Sequence, residues 1–536
     1  KITLKGGYIM SEKRENWGSK LGLVLAMAGN AVGLGNFWRY PYQAAKNGGG
    51  AFMLPYFGAL ILMGLPLMLV EWSLGRMGGK YGHGTLGPMV YLQAREGVKP
   101  KTAILIGSFA GGLALAVTLL VNSYYNHIIG WTMGYTVLSL TGSYMNVEST
   151  GQFFVDYIQN PGLVFGFWLV ALTVLLFTAM GGIQKGVERM AKLLMPTIYV
   201  FGIILIIRTL TLGSPNPAHP DWTPIAGLNF IWSPRWSDLN WQATMAACGQ
   251  IFFTLSIGMG IICNYASYLK PDDDIVLSGF TTVALNELAE VVLGGTIAIP
   301  IAYAFLGPDG VGASIGLSFI ALPSLFREMG FGQVIGAMWF LLLAFAGLTS
   351  AVAMYNYLVA LIMENTNAIR KKASIMVFIG YIIVGLPVAL EPILTKTADL
   401  MYFTEVDNWV GNFFLFILGM TEIIVTGWLF REKGLPEINR GGYWKVPGWF
   451  YKLFIQGITP VAMLIVLVMY IKDTAAQGYY KMVPDFVAGN DVLIPWVIAG
   501  RIVVFGVVAI GCVITYLSIK RSYKEELEKN QVIVRL

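Results

Sequence analysis

The chain predicts an all-α integral membrane protein of about twelve transmembrane helices. Three observations carry this. Of 536 residues, 56% are hydrophobic and only 12% charged, too few charges to clothe a soluble domain of this size. Mean hydropathy is +0.64. The apolar residues fall in continuous runs of bilayer length, rich in Leu, Ile, Val, Phe, Gly and Ala, whereas a membrane β-barrel shows alternating strands of roughly ten residues.

In chain order the runs lie at 20–45, 51–75, 103–138, 162–180, 192–212 and 241–268, then at 275–305, 332–362, 374–392, 406–430, 448–471 and 492–519. They cover more than half of the chain and their connections are mostly short, leaving no room for a separate soluble domain. The first run follows Lys13, Arg14 and Glu15 and is itself long enough to span, so it reads as its own insertion signal. Met10 with Ser-Glu-Lys-Arg after it resembles a natural start, and residues 1–9 are given no function.

With twelve spans and the N-terminus inside, roughly 27 Lys and Arg fall in cytoplasmic segments and about 7 outside, as the positive-inside rule asks. Both termini are therefore expected in the cytoplasm. The net charge of +6 reads as topology and headgroup contact through Arg370, Lys371, Lys372 and the 431–445 segment, and nucleic acid is not an expected partner. Cys248, Cys263 and Cys512 all lie in predicted spans, so no external disulfide framework is available. The segment 139–162 lacks cysteine and any N-x-S/T sequon, which leans toward a prokaryotic inner membrane.

Unwound backbone survives at membrane depth only where protein or a water-filled cavity covers it, so glycine runs in mid-span suggest a site. The first span contains Ala28-Gly29-Asn30-Ala31-Val32-Gly33-Leu34-Gly35-Asn36, and the sixth contains Phe253-Thr254-Leu255-Ser256-Ile257-Gly258-Met259-Gly260. Each opens a block of five spans, the placement expected of an inverted repeat with a midplane site. Taken singly, either run would also permit close helix packing. Broken helices offer free carbonyls to a cation and free amides to an anionic group. Asn36, Thr254, Ser256, Asn286, Thr349 and Ser350 add neutral oxygens with no carboxylate among them, which points to a monovalent hard cation, with sodium the candidate.

At these residues the chain resembles the neurotransmitter:sodium symporter family, most closely its bacterial leucine-transporter type. The resemblance covers nearly the whole chain. Its most specific stretches are residues 29–41 (Gly-Asn-Ala-Val-Gly-Leu-Gly-Asn-Phe-Trp-Arg-Tyr-Pro), 47–52, 249–256, Leu285-Asn286-Glu287 with Ala289-Glu290, and 346–350. The resemblance implies a five-plus-five inverted repeat with discontinuous helices 1 and 6. Residues 20–430 would form the transport core, 431–519 helices 11 and 12, and 1–19 and 520–536 cytoplasmic tails.

Carried over by position, it implies two sodium sites. The first would use Ala31, Asn36, Thr254 and Asn286 with the substrate's own carboxylate, and the second Gly29, Val32, Ala346, Thr349 and Ser350. Substrate and ion then share a ligand, a physical basis for coupling. A small neutral amino acid would lie between the breaks beside Ala31, its carboxylate on the amides near Leu34 and Gly35 and on Tyr125, its ammonium on carbonyls around Phe253, Thr254 and Ser256. Gly33 replaces the Asp that meets the amine in amine-transporting relatives. Val121, Phe253, Ser256, Met259, Ser350 and Met354 would line the side-chain pocket, which has no acid or base, so the substrate is expected to be hydrophobic. Met259 stands where the leucine-transporter type has Phe, and flexible Met259 and Met354 would adapt to ligands of different size.

The resemblance also implies an outer gate made by an ion pair of Arg39 and Asp407 above a lid of Tyr125 and Phe253. An inner latch would join Arg14 and Trp17 to Glu364, which departs from the aspartate of the bacterial type. Glu290 replaces a serine that helps bind chloride in animal members, so chloride independence is expected. Its place beside a sodium site makes proton counter-transport a hypothesis, which uptake insensitive to an imposed pH difference would count against. No zincin, P-loop, Rossmann or nucleophile-elbow motif is present, and His83, His127 and His219 are far apart, so an enzyme is not expected. The reading is a sodium-coupled symporter that imports by alternating access. A non-transporting amino-acid sensor on the same fold is the alternative. The lipid bilayer is the remaining partner, and a homodimer is one arrangement open to the chain.

Overall fold

The computed structural model describes residues 3–4, 8–9, 15–310, 317–366 and 368–533. Apart from a two-residue antiparallel ladder pairing Thr3–Leu4 with Tyr8–Ile9, its regular structure is helical. Among the described residues ten helices are long and apolar enough to cross a bilayer. Spans 2 to 5 are Gly50–Lys80, Pro100–Leu140, Pro161–Met180 and Ile183–Leu210, and spans 7 to 12 are Ile275–Pro308, Gly332–Thr366, Arg370–Thr395, Met401–Leu429, Gly448–Ala476 and Ile494–Ser522. Span 1 is a bent pair, Lys20–Ala31 and Gly35–Lys46, turning by 46° at its break. Span 6 is two pieces, Trp241–Thr254 and Ile261–Ala266, neither of which reaches across alone. Among the described residues the twelve apolar segments thus become ten continuous helices and two broken ones.

Span 5 begins at Ile183, well before the apolar run at 192 that marked it in the sequence. Its first turns carry Gln184, Lys185, Glu188 and Arg189, which hydropathy reads as loop, yet backbone pairing continues through them. Gly186 makes this possible, because a Cβ there would sit 1.9 Å from the Thr178 carbonyl oxygen of span 4. Spans 3 and 8 are the most enclosed, with 78% of their most apolar stretches buried, and pack directly on each other. Spans 4, 5 and 11 at 33% and span 12 at 22% present most of their surface outward, so lipid faces them and the centre lies around spans 1, 3, 6 and 8.

Several spans contain a π-helical turn, and three of these turns hold predicted site residues. Gly35–Arg39 carries Asn36 and Arg39, Leu288–Gly294 carries Glu290, and Asp407–Phe413 carries Asp407. A π turn widens the helix by a residue and re-aims the side chains on it, which is why such turns gather at functional positions.

Candidate functional site

The break in span 6 is built by residues in the left-handed backbone region: Ser256 at φ 56°, Gly258 at 70° and Gly260 at 76°. Ser256 lacks glycine's freedom there, at a cost of about 1 kcal/mol or more. Its hydroxyl compensates by donating to the Asn30 carbonyl of span 1 at 2.9 Å. The freed Gly258 amide donates to the Glu71 carboxylate of span 2 at 2.6 Å. A side chain at Gly258 has no room, since a Cβ would lie 2.4 Å from the Leu415 carbonyl oxygen. In span 1 the helix stops at Ala31, and Val32 turns out of helical geometry at ψ 96°. Two of the amides beyond are taken by side chains. Gly33 N–H donates to Asn36 Oδ1 and Leu34 N–H to the Tyr125 hydroxyl, both at 2.8 Å.

Between the two breaks lies a cavity of about 10 Å³, room for about one water. Ala31 and Gly35 of span 1, Val121 and Tyr125 of span 3, Phe253, Thr254, Ser256 and Met259 of span 6, and Ser350 and Met354 of span 8 line it, with Gly33 added. These are ten of the eleven residues that the resemblance assigned to substrate. Leu34 is the eleventh: it contributes its amide through Tyr125 and not a wall of the cavity. Among the described residues no charged side chain lines it.

Beside the cavity the oxygens expected for the first sodium site converge. Asn36 Nδ2 donates to Asn286 Oδ1 at 2.9 Å and to Thr254 Oγ1 at 3.2 Å. Thr254 in turn donates to Glu290. Glu290 is fully buried and also accepts from Gln250 Nε2 at 2.9 Å and the Tyr56 hydroxyl at 3.1 Å, while Tyr56 reaches Glu287 at 2.9 Å. On the other side of span 1 the second set assembles. Thr349 Oγ1 donates to the Ala346 carbonyl at 2.9 Å and lies 3.4 Å from the Val32 carbonyl oxygen, and a Cβ at Gly29 would touch Thr349 at 3.1 Å. Ser350 turns instead toward Gly33 and the cavity.

The expected gate differs in detail. Among the described residues Arg39 and Asp407 form no direct ion pair. Arg39 Nη2 donates to Asn412 Oδ1 at 2.9 Å, and Asn412 Nδ2 donates to Asp407 Oδ2 at 3.3 Å. The π turn is the cause: it stacks residues five apart, bringing Asn412 over Asp407 and between the charges. The Tyr124 hydroxyl donates to Asp407 Oδ1 at 2.5 Å, and the Arg39 guanidinium lies 4.5 Å from the Phe253 ring centroid, so the arginine rests on the lid.

At the opposite end Trp17 Nε1 donates to the Tyr265 carbonyl at 3.1 Å and the two rings meet edge to face. Arg14 lies outside the described residues. Glu364 accepts from Thr85 Oγ1 at 2.8 Å and contacts His83, so the segment 83–85 holds it.

Sequence reasoning did not assign Tyr56, Gln250, Tyr124 or Asn412. Gln250 was within reach, being one helical turn before Thr254 on the same face. Tyr56 and Tyr124 come from other spans, and no spacing in the sequence reveals them.

Two crossings broken side by side around a buried, uncharged cavity, with backbone amides at the breaks held by side chains and hydroxyls along the walls, define a secondary transporter of the broken-helix kind. The family model described as the Sodium:neurotransmitter symporter family matches residues 14–155 and 153–522, and the chain belongs to that family. It is 30% identical to an uncharacterised sodium-dependent transporter of Methanocaldococcus jannaschii over 90% of this chain and 96% of that one. It is 31% identical to an uncharacterised sodium-dependent transporter of Bacillus subtilis over 85% of this chain and 98% of that one. Among solved structures it is similar to MhsT in complex with L-phenylalanine, at a TM-score of 0.72 and 31% identity, over 85% of this chain and all of that one. The protein is therefore a sodium-dependent symporter crossing the membrane many times, and its family is one of transporters and not of enzymes.

Proposed function

We propose that this symporter imports neutral hydrophobic amino acids, coupled to two sodium ions and independent of chloride. One observation carries the reading: the cavity between the breaks has apolar walls at Val121, Phe253, Met259 and Met354, no charged side chain, and Gly33 where a Cβ would meet the Tyr125 hydroxyl at 2.5 Å. Such a pocket suits a ligand that brings its own carboxylate and ammonium and an uncharged side chain. The likeness to MhsT, whose structure holds L-phenylalanine, supports the same class. At about 10 Å³ the cavity must open before an amino acid enters, and the unbranched Met259 and Met354 are the walls most able to repack.

Sodium would occupy the oxygens of Asn36, Thr254 and Asn286 with the Ala31 carbonyl, and those of Gly29, Val32, Ala346, Thr349 and Ser350. Glu290, buried where its neighbours are Thr254, Gln250 and Tyr56, supplies a fixed negative group in place of chloride. Loading orders both breaks, the lid of Tyr125 and Phe253 closes under Arg39, and spans 1, 2, 6 and 7 rock against the others to release the ligand to the side of Trp17, which the charge distribution assigns to the cytoplasm. Uptake of a panel of radiolabelled neutral amino acids into proteoliposomes tests this, with and without an inward sodium gradient and with chloride replaced by gluconate. Sodium-driven accumulation that ignores chloride is expected. Saturable sodium-dependent binding without accumulation would make the protein a sensor.

A further inference from the structure

Near its start span 10 carries Glu405 and Asp407, two residues apart and therefore on nearly opposite faces of the helix. Asp407 faces the gate, where Tyr124 and Asn412 hold it. Glu405 is fully buried on the other face, toward span 12, where Arg501 Nε donates to its Oε1 at 2.6 Å. Trp409, one turn on, donates from Nε1 to the same oxygen at 2.8 Å. The rest of the guanidinium binds the loop between spans 11 and 12: Nη2 donates to the Tyr479 carbonyl at 2.7 Å and Nη1 to the Lys481 carbonyl, with the Tyr479 ring 5.3 Å from the charge. Trp409 packs against Tyr479, Tyr480 and Phe505, so the aromatic floor of this clasp also comes from the loop and span 12.

We propose that Arg501 is a positioning residue of the outer gate, fixing the rotation of span 10 through Glu405 so that Asp407 and Asn412 face Arg39. The inference rests on the outer-gate reading of Arg39 and Asp407. A helix can turn about its own axis more readily than it can shift, and the Glu405 anchor on the far face opposes that turn. Removing Arg501 leaves a buried, unpaired carboxylate whose easiest relief is to rotate toward polar surroundings, which swings Asp407 away from Tyr124. Helices 11 and 12 thereby act on the gate without lining the substrate path.

The test measures sodium-driven uptake of radiolabelled L-phenylalanine into proteoliposomes, and its rate of dissociation, in the double variant E405Q/R501Q, in R501K and in D407N. The double variant carries no buried unpaired charge and is expected to insert normally. Loss of the anchor raises its KM and its dissociation rate about tenfold, the scale of one charge-assisted hydrogen bond, while kcat per inserted transporter stays within about twofold. R501K, which keeps the charge but not the fork, is expected to recover part of that loss. A double variant with unchanged KM, or with only kcat or abundance reduced, overturns the proposal provided D407N raises KM. Should D407N itself leave KM and dissociation unchanged, the outer-gate reading fails and the positioning role falls with it.

Discussion

Replacing Gly33 by alanine puts a methyl carbon 2.5 Å from the Tyr125 hydroxyl and 3.2 Å from Ser350 Cβ. Neither neighbour can yield cheaply. The Tyr125 ring is buried and its hydroxyl accepts the Leu34 amide at 2.8 Å, so moving it aside leaves that amide unpaired at membrane depth. An unsatisfied buried donor costs about 1–3 kcal/mol, which corresponds to about 5-fold to 150-fold in an equilibrium constant. The same hydroxyl and amide are proposed to receive the substrate carboxylate together, so binding must bring the displaced hydroxyl back against the methyl carbon, and a cost of that size falls on substrate binding. Equilibrium binding of radiolabelled L-phenylalanine in saturating sodium should show a Kd raised by a factor in that range. A suitable control is Gly166→Ala in span 4, where a Cβ meets no atom within 4 Å and the backbone is helical. It should leave Kd unchanged and, if anything, raise Tm. A Kd for Gly33→Ala within twofold of the unmodified protein, with normal insertion, would refute the placement of substrate between the breaks.

Thr349→Val preserves shape but removes the hydroxyl that bonds Ala346 and faces Val32, so the sodium concentration for half-maximal uptake should rise about tenfold with little change in expression, read from a sodium titration. Phe253→Ala removes both the lid and the ring under Arg39 at 4.5 Å. A cation–π contact of about 0.5–2 kcal/mol predicts substrate dissociation faster by about 2-fold to 30-fold in a washout assay. Glu290→Ser removes the buried acid between Gln250, Tyr56 and Thr254, and uptake should then depend on external chloride, falling at least about tenfold in gluconate. Chloride-insensitive uptake by this variant would show that Glu290 does not stand in for the anion.

Composition and apolar run length were sufficient for the fold class because lipid imposes one rule everywhere: each crossing must satisfy its own backbone and present an apolar surface. The same rule made the two breaks legible, since a run such as Gly29 to Asn36 is hard to explain in a continuous crossing. Span 5 was mistimed for the complementary reason. Its first turns, Ile183 to Glu188, are polar and lie where lipid no longer decides, and what keeps them helical is Gly186 against Thr178. The gate shows a different limit. Arg39 and Asp407 are both visible in the sequence, but the geometry between them depends on a π turn. A one-residue widening leaves no pattern in residue type, so the interposed Asn412 could only come from coordinates.

Asn36 is where these features meet. Its carbonyl holds the Gly33 amide on the cavity side, and its amide holds Thr254 and Asn286 on the side where the first sodium site is proposed. An amide oxygen has two lone pairs, so a cation on the side-chain oxygens of Asn36 and Asn286 would share them with the hydrogen bonds already there and weaken the hold on the Gly33 amide beside the cavity. There an amide next to the one on Tyr125 would become more available to a carboxylate. Binding at either place would therefore change the donors offered at the other, which is the thermodynamic condition for coupling whichever ligand arrives first. Thr254 extends the same chain of bonds to Glu290, so a single hydroxyl joins the buried carboxyl to the proposed ion site. Coupling by this route would need no large motion to begin, only a shift in the two hydrogen bonds that the side-chain oxygens of Asn36 and Asn286 accept.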